Sequence, residues 1–174
     1  MKIIQSKEAY RCSLFRVSED VARDPKTGFE IKRAVVRHNG SAVIMPVDEK
    51  KRILLVRQYR LPAGKKMWEL PAGKVDEGEK PLQAARRELI EETGYRARKL
   101  EKLGSFYPSP GYVEEYMTIY LATGLTAGEA NPMDDEQIET GWFTAREIED
   151  KILSGTIDDG KTVIGYFLWK ARRP

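Results

Sequence analysis

Apolar residues fall along the chain in short runs, and the spacing within those runs shifts between strand-like and helical. Near the N-terminus RCSLFRVSED and FEIKRAVVRHN read as strand-like pieces around a turn at Asp24–Gly28, where PKTG supplies the turn chemistry. SAVIMPVD and RILLVRQYR flank the polar EKK, a pattern that predicts a β-hairpin of well-buried strands. A loop containing Pro62 and Gly64 follows, then a short strand in MWELPAG. Beyond Pro81 the spacing becomes helical: Leu82, Ala85 and Leu89 share one face. Pro81 suits a first helical turn, Lys80 is a weak N-cap, and Gly94 is the residue type favoured just past a C-terminus. LEKLGSFY, the loop PSPG and the strand EYMTIYLATGL come next. A polar, acidic loop over 126–137 precedes the strand IETGWFT and helices over 145–154 and 160–172. Strands and helices mix without strict βαβ alternation, which predicts an α+β fold with a mixed sheet between helices.

Bulk properties narrow the function classes. A chain of 174 residues with 41% hydrophobic and 33% charged residues suits a soluble domain with a sizeable core. The longest aliphatic run, Ile53–Val56, is far shorter than a bilayer span, and MKIIQSKEAYRC lacks a signal-peptide core, so no membrane partner is expected. Cys12 stands alone and cannot form an internal disulfide, which fits a reducing cytoplasm. The 30 basic and 27 acidic residues give a net charge of +3. The basic residues are dispersed, which argues against a nucleic-acid partner. A single histidine, His38, excludes a histidine-rich zinc site. Chemistry is therefore expected from carboxylates and a hard metal ion.

The stretch GKVDEGEKPLQAARRELIEETGY, Gly73 to Tyr95, concentrates that chemistry. On a helix Glu88, Glu91 and Glu92 lie within about 100° of arc. Each like-charged neighbour pair costs roughly 0.2–0.5 kcal/mol. Arg87 stands four residues before Glu91 and could balance a merely solvated acidic face. The preceding loop, PAGKVDEGE, brings backbone carbonyls and Glu79 to the same place. A group of oxygens of this kind suits Mg²⁺ or Mn²⁺. Magnesium completes its shell with water and substrate phosphates, so the cluster points to a phosphate substrate.

The spacing Gly-x5-Glu-x7-Arg-Glu-U-x-Glu-Glu-x-Gly-U, with U apolar, is filled by Gly73, Glu79, Arg87, Glu88, Leu89, Glu91, Glu92, Gly94 and Tyr95. This resembles the Nudix box of hydrolases acting on nucleoside diphosphates linked to another group; Tyr95 is aromatic where an aliphatic residue is usual. The resemblance implies a Nudix-type mixed sheet sandwiched between helices over 41–174, preceded by a strand subdomain over 1–40. It implies that Glu88 and Glu92 carry metal, with Glu91 supporting or sharing a further ion and the Ala72 carbonyl joining them. Arg87 would orient the glutamates, and Glu79 would hold the loop.

VRQYR, WELPAGKVDEGE and YPSPGYVEEYMTIYLA, including Pro110 fifteen residues past Tyr95, resemble the ADP-ribose pyrophosphatase branch. That resemblance implies Mg²⁺-dependent hydrolysis of ADP-ribose to AMP and ribose 5-phosphate, with another nucleotide sugar or a dinucleotide as alternative substrate. A non-catalytic nucleotide sensor is a further alternative, disfavoured because the metal glutamates are all present. Arg60, and with it Arg57, would fork onto phosphate oxygens. Glu69, Pro110 and Glu115 are expected at the substrate, Glu115 on the terminal ribose with Glu114 as its neighbour. A loop carboxylate, Glu136 with Asp134 and Asp135 as substitutes, would act as base. The resemblance also implies a homodimer formed through the N-terminal strands. Trp68 and Trp142 are expected in the core, and His38 in a turn.

Overall fold

The computed structural model describes residues 1–131 and 137–172. The chain divides into two compact units, one formed by Met1–Gly40 with Phe106–Tyr116, the other by Ser41–Ser105 with Met117–Pro174.

The first unit is an antiparallel sheet of β1 (Lys2–Arg11), β2 (Arg16–Arg23) and β3 (Glu30–Arg37) in that order. The sequence reading runs one strand through RCSLFRVSED; the structure breaks it at 12–15, where the Cys12 amide donates to the Phe15 carbonyl at 2.9 Å. β1 was not expected, because KIIQSKEAYR is exposed at every position and no alternation marks it. The β2–β3 turn forms as its residues dictate. Asp24 Oδ1 accepts the Lys26 and Thr27 amides at 2.7 and 3.1 Å, and Gly28 adopts φ 75°. Phe106–Tyr116 joins this unit through the Val36 amide, which donates to Tyr112 O at 2.8 Å, and the Glu114 amide, which donates to Val36 O at 2.9 Å.

The second unit contains two further sheets, built from β4 (Ser41–Pro46), β5 (Ile53–Arg60), β6 (Lys65–Glu69), β7 (Ala72–Lys74), β8 (Arg96–Phe106), β9 (Met117–Thr126) and β10 (Glu139–Phe143). Its helices are α1 (Pro81–Thr93), α2 (Ala145–Leu153) and α3 (Gly160–Ala171). One sheet has the order β7-β4-β9-β8 and the other β10-β5-β6. β4 runs parallel to β9, from Ser41 opposite Met117 to Pro46 opposite Ala122, and antiparallel to its other neighbour β7. The β4 sheet is mixed, as the pattern predicts, and the β10-β5-β6 sheet is antiparallel throughout; helices accompany both. No helix among the described residues is long and apolar enough to cross a membrane.

The expected hairpin of β4 and β5 does not form. The chain turns tightly between them, with the Asp48 amide donating to Arg52 O at 3.0 Å and Lys51 at φ 62°. A single bridge, Val47 to Ile53, closes the turn, and the strands then enter different sheets. The physical reason is burial on both faces. All of β4 and the first four residues of β5 are buried, and continuous apolar strands need cover above and below.

α1 lies on the β4 sheet. Ala84, Ala85 and Leu89 enter one cluster with Ala42, Ile44 and Val75. Leu82, expected on that face, is 38% exposed. Two adjacent alanines let the helix approach the sheet closely, and the buried stripe shifts to Ala84, Ala85, Leu89, Glu92 and Thr93. Trp68 and Trp142 are half-buried. They meet Phe143 and Tyr95 edge-on, at centroid separations of 5.0 and 5.6 Å.

Candidate active site

α1 carries the acidic cluster between two defined ends. Its first turn begins at Pro81, and Gln83 Oε1 accepts the Lys80 amide at 3.0 Å. Gly94 ends it at φ 74°, its amide donating to Ile90 O at 2.8 Å. A Cβ at position 94 would come within 2.6 Å of Gly128 O, so conformation and space both require glycine.

Arg87 organises the carboxylates. Its Nε and Nη2 donate to Glu79 at 3.2 and 3.0 Å, and Nη1 donates to Glu88 at 2.5 Å and Glu91 at 2.9 Å. Nη2 also reaches the Lys74 carbonyl at 3.0 Å. One planar fork thus spans the loop and the helix, which a lysine could not do. The hydrogen bonds to Glu79, opposed by burial and reinforced by Glu88 and Glu91, hold Arg87 still more firmly protonated. In return Arg87, with the Asp76 amide, holds Glu79 below the usual carboxylate range against its own burial.

Glu88 and Glu92 meet the backbone of β7. The Glu88 carboxylate occupies the place of a side chain at Gly73: a Cβ there would lie 1.9 Å from its Cδ and Oε1. Glu92 is buried, at 4% exposure, and its Oε2 accepts the Ala72 amide at 3.1 Å. Among the described residues no ready-made cage of three acidic, histidine or cysteine side chains exists. The donors nonetheless fit a hard divalent ion. Two carboxylates converge on one peptide segment, glycine keeps that segment open, and every donor is oxygen. Glu88, Glu92 and the Ala72 backbone would hold the ion, with Glu91 beside them. A metal bound there polarises a phosphoryl oxygen and lowers the pKa of a bound water.

Arg60, at the end of β5, is gripped by a carboxylate of the neighbouring strand. Its Nε and Nη2 donate to Glu69 Oε1 and Oε2 at 2.8 and 2.9 Å. Burial opposes the arginine's charge, but Glu69, Glu92 and Asp159 together raise its pKa. Arg60 therefore sits in the field of Glu92. Glu69 is only 1% exposed, and its two oxygens are occupied by Arg60 and Lys161. It is placed to orient an arginine. Arg57 is 3.6 Å from Glu139 and stacks over Trp68 with Cζ 5.8 Å from the ring centre.

Pro110 and Glu115 belong to the other unit. Pro110 lines a largely apolar cavity of about 450 Å³ with Ile31, Val35, Tyr107 and Tyr112. Glu115 lies 3.8 Å from His38 Nδ1, a nitrogen that accepts the Gly40 amide at 3.0 Å. Glu114 instead pairs with Arg37 at 3.0 Å. Glu136, Asp134 and Asp135, the expected base and its substitutes, lie outside the described residues. Sequence reasoning missed Lys161 and Asp159. The only local signal was Asp-Gly-Lys-Thr at the start of a helix, where Asp159 serves as N-cap.

A mixed-sheet α+β unit bearing arginine-ordered glutamates over a glycine backbone has the donor set that metal-assisted, phosphate-directed hydrolysis needs. Residues 36–163 match the NUDIX domain, and the chain belongs to the Nudix family. It is 36% identical over 165 residues to a methanol dehydrogenase activator of Bacillus methanolicus, covering 94% of this chain and 89% of that one. It is 38% identical over 133 residues to an ADP-ribose pyrophosphatase of Bacillus subtilis (strain 168), covering 75% and 72%. The fold matches a crystal structure of an ADP compounds hydrolase with TM-score 0.81 at 23% identity, over 98% of this chain and 94% of that one.

Proposed function

We propose that the protein is a Mg²⁺-dependent hydrolase that splits the diphosphate of ADP-ribose into AMP and ribose 5-phosphate, with Mn²⁺ able to substitute. The observation that carries the reading is the Arg87-ordered cluster, which brings Glu88 and Glu92 onto the Ala72–Gly73 backbone. Arg60, fixed by Glu69 in the field of Glu92, is the candidate diphosphate contact, and Arg57 is the weaker one. The ADP-ribose specificity is supported by the relative of that activity at 38% identity. Glu115 and Pro110 are proposed substrate contacts, Glu91 and Arg87 support the metal glutamates, and Glu136 is the proposed base.

The working form is proposed to be a cytoplasmic homodimer. Support for the dimer comes from β1, whose residues, Ile3, Ile4 and Tyr10 among them, are all exposed. Light scattering at low micromolar concentration reads the mass directly; a monomer there refutes the dimer.

The deciding experiment incubates the protein with Mg²⁺ and ADP-ribose, other nucleotide sugars, NADH or a capped RNA, and separates the products. AMP and ribose 5-phosphate formed fastest from ADP-ribose are expected. Faster cleavage of another member keeps the hydrolase and replaces its substrate. Nucleotide binding without any cleavage overturns the enzyme.

A further inference from the structure

Glu69 is held from two sides. Arg60 takes both oxygens with a fork, and Lys161 Nζ donates to Oε2. Lys161 is itself buried, at 9% exposure, and lies 3.0 Å from Asp159. Two cations and two carboxylates thus close into a neutral group whose inner pair, Glu69 and Lys161, is buried. Its geometry is set by α3. Asp159 accepts the Thr162 amide at 3.0 Å and the Thr162 hydroxyl at 2.6 Å, and the Thr162 hydroxyl oxygen accepts the Leu70 amide at 2.8 Å. The helix start is therefore fastened to the residue after Glu69.

Burying an ammonium there is costly, and an apolar side chain would fill the volume more cheaply. What the ammonium adds is a second cation on Glu69. Arg60 gives Nε and Nη2 to that carboxylate, and Nη1 stands outside that fork. The arginine remains 41% exposed. One edge is held by Glu69, and the guanidinium as a whole lies in the field of Glu92.

We propose that Lys161 is a positioning residue of the diphosphate site: it holds the Glu69 carboxylate so that Glu69 presents the Nη1 edge of Arg60 to a phosphoryl oxygen. This rests on the reading of Arg60 as a diphosphate contact. Lys161 touches no substrate and acts through two residues.

The test is a double-mutant cycle on binding of α,β-methylene-ADP, a nucleoside diphosphate that cannot be cleaved at its bridge, measured by calorimetry with Mg²⁺. Lys161→Met and Arg60→Lys are each expected to weaken binding about tenfold, a magnitude usual for supporting shells. The double variant is expected to bind no more weakly than Arg60→Lys alone, because coupled residues are non-additive. A structural role alone would give losses that add. Additive losses overturn the proposal, as does unchanged affinity in Lys161→Met. Should Lys161→Met not fold, Glu69→Gln with Lys161→Met removes both members of the buried pair. Loss of affinity in that protein supports the proposal, and full affinity overturns it. The analogue reports the diphosphate contact whatever sugar is cleaved, so a failure to hydrolyse ADP-ribose leaves this result standing. A wild-type protein that does not bind the analogue overturns the proposal.

Discussion

The Glu88 carboxylate and Cα of Gly73 are stacked so closely that a methyl group on Gly73 would occupy the space of Glu88 Cδ. Glycine at this position is a requirement of the glutamate and not of the backbone, since Gly73 does not adopt positive φ. Gly73→Ala is expected to push Glu88 aside and lower kcat by about 10²-fold or more. Tm should fall by only a few degrees, because the displaced carboxylate is no part of the apolar core. Steady-state kinetics and a thermal melt separate the two effects. A variant with normal kcat would show that Glu88 is not needed where it stands.

Glu92→Gln keeps the shape of the side chain and an acceptor for the Ala72 amide. The fold should survive, while a carboxylate charge proposed to hold the metal is lost. Turnover is expected to drop by about 10²-fold or more, with weakened Mn²⁺ binding by electron paramagnetic resonance.

Arg87 serves Glu79, Glu88, Glu91 and the Lys74 carbonyl with one guanidinium. Arg87→Lys keeps the charge and loses the fork. We expect lower kcat and a lower Tm, and partial recovery of Tm on adding Mg²⁺, since a divalent ion offsets the repulsion left among the glutamates. Absence of recovery would count against metal binding by these carboxylates.

Asp20, in the N-terminal unit, accepts the Ser6 hydroxyl at 2.7 Å and pairs with Arg37. The Ser6 bond, opposed by burial and aided by Ser18 and Arg37, lowers its pKa. A lowered carboxylate pKa gives stability that is complete above the unfolded value, about 3.9, and vanishes as pH falls through the folded value. Asp20→Asn should therefore melt about 2–8 °C below the wild type at neutral pH. The gap should close in acid beneath about pH 3.9. A gap that persists at every pH would assign the loss to packing.

Gly165 of α3 faces Leu70, where a Cβ would lie 2.6 Å from Cδ1 and 3.6 Å from Ile119 and Met45. Gly165→Ala gains helix propensity yet overpacks the core, and a net loss of about 1–3 kcal/mol is expected from denaturant unfolding.

What the sequence disclosed follows the range of each interaction. α1 was legible, because its spacing, its proline start and Gly94 are local. The cluster of Arg87, Glu88, Glu91 and Glu92 was legible for the same reason, as all four lie on one helix. The β4–β5 hairpin misled, because an unbroken apolar run looks the same in neighbouring strands of one sheet and in strands of two sheets. β1 left no trace, since it buries nothing that would impose alternation. Leu82 was misplaced because two alanines moved the contact face. The partnership of Lys161 with Glu69 spans 92 residues, and no local pattern announces it.

The parallel pairing of β4 with β9 has a consequence for synthesis. Ser41–Pro46 leaves the ribosome long before Met117–Ala122, its partner, and Ile53–Phe143 pairing waits longer still. Neither central sheet can close until most of the chain is made, so the two most apolar segments remain uncovered in the nascent chain. High contact order of this kind slows folding and favours aggregation of truncated products. Chains cut before Met117 should require chaperones to stay in solution, and the glutamate helix, though complete by Thr93, would have no finished sheet on which to assemble.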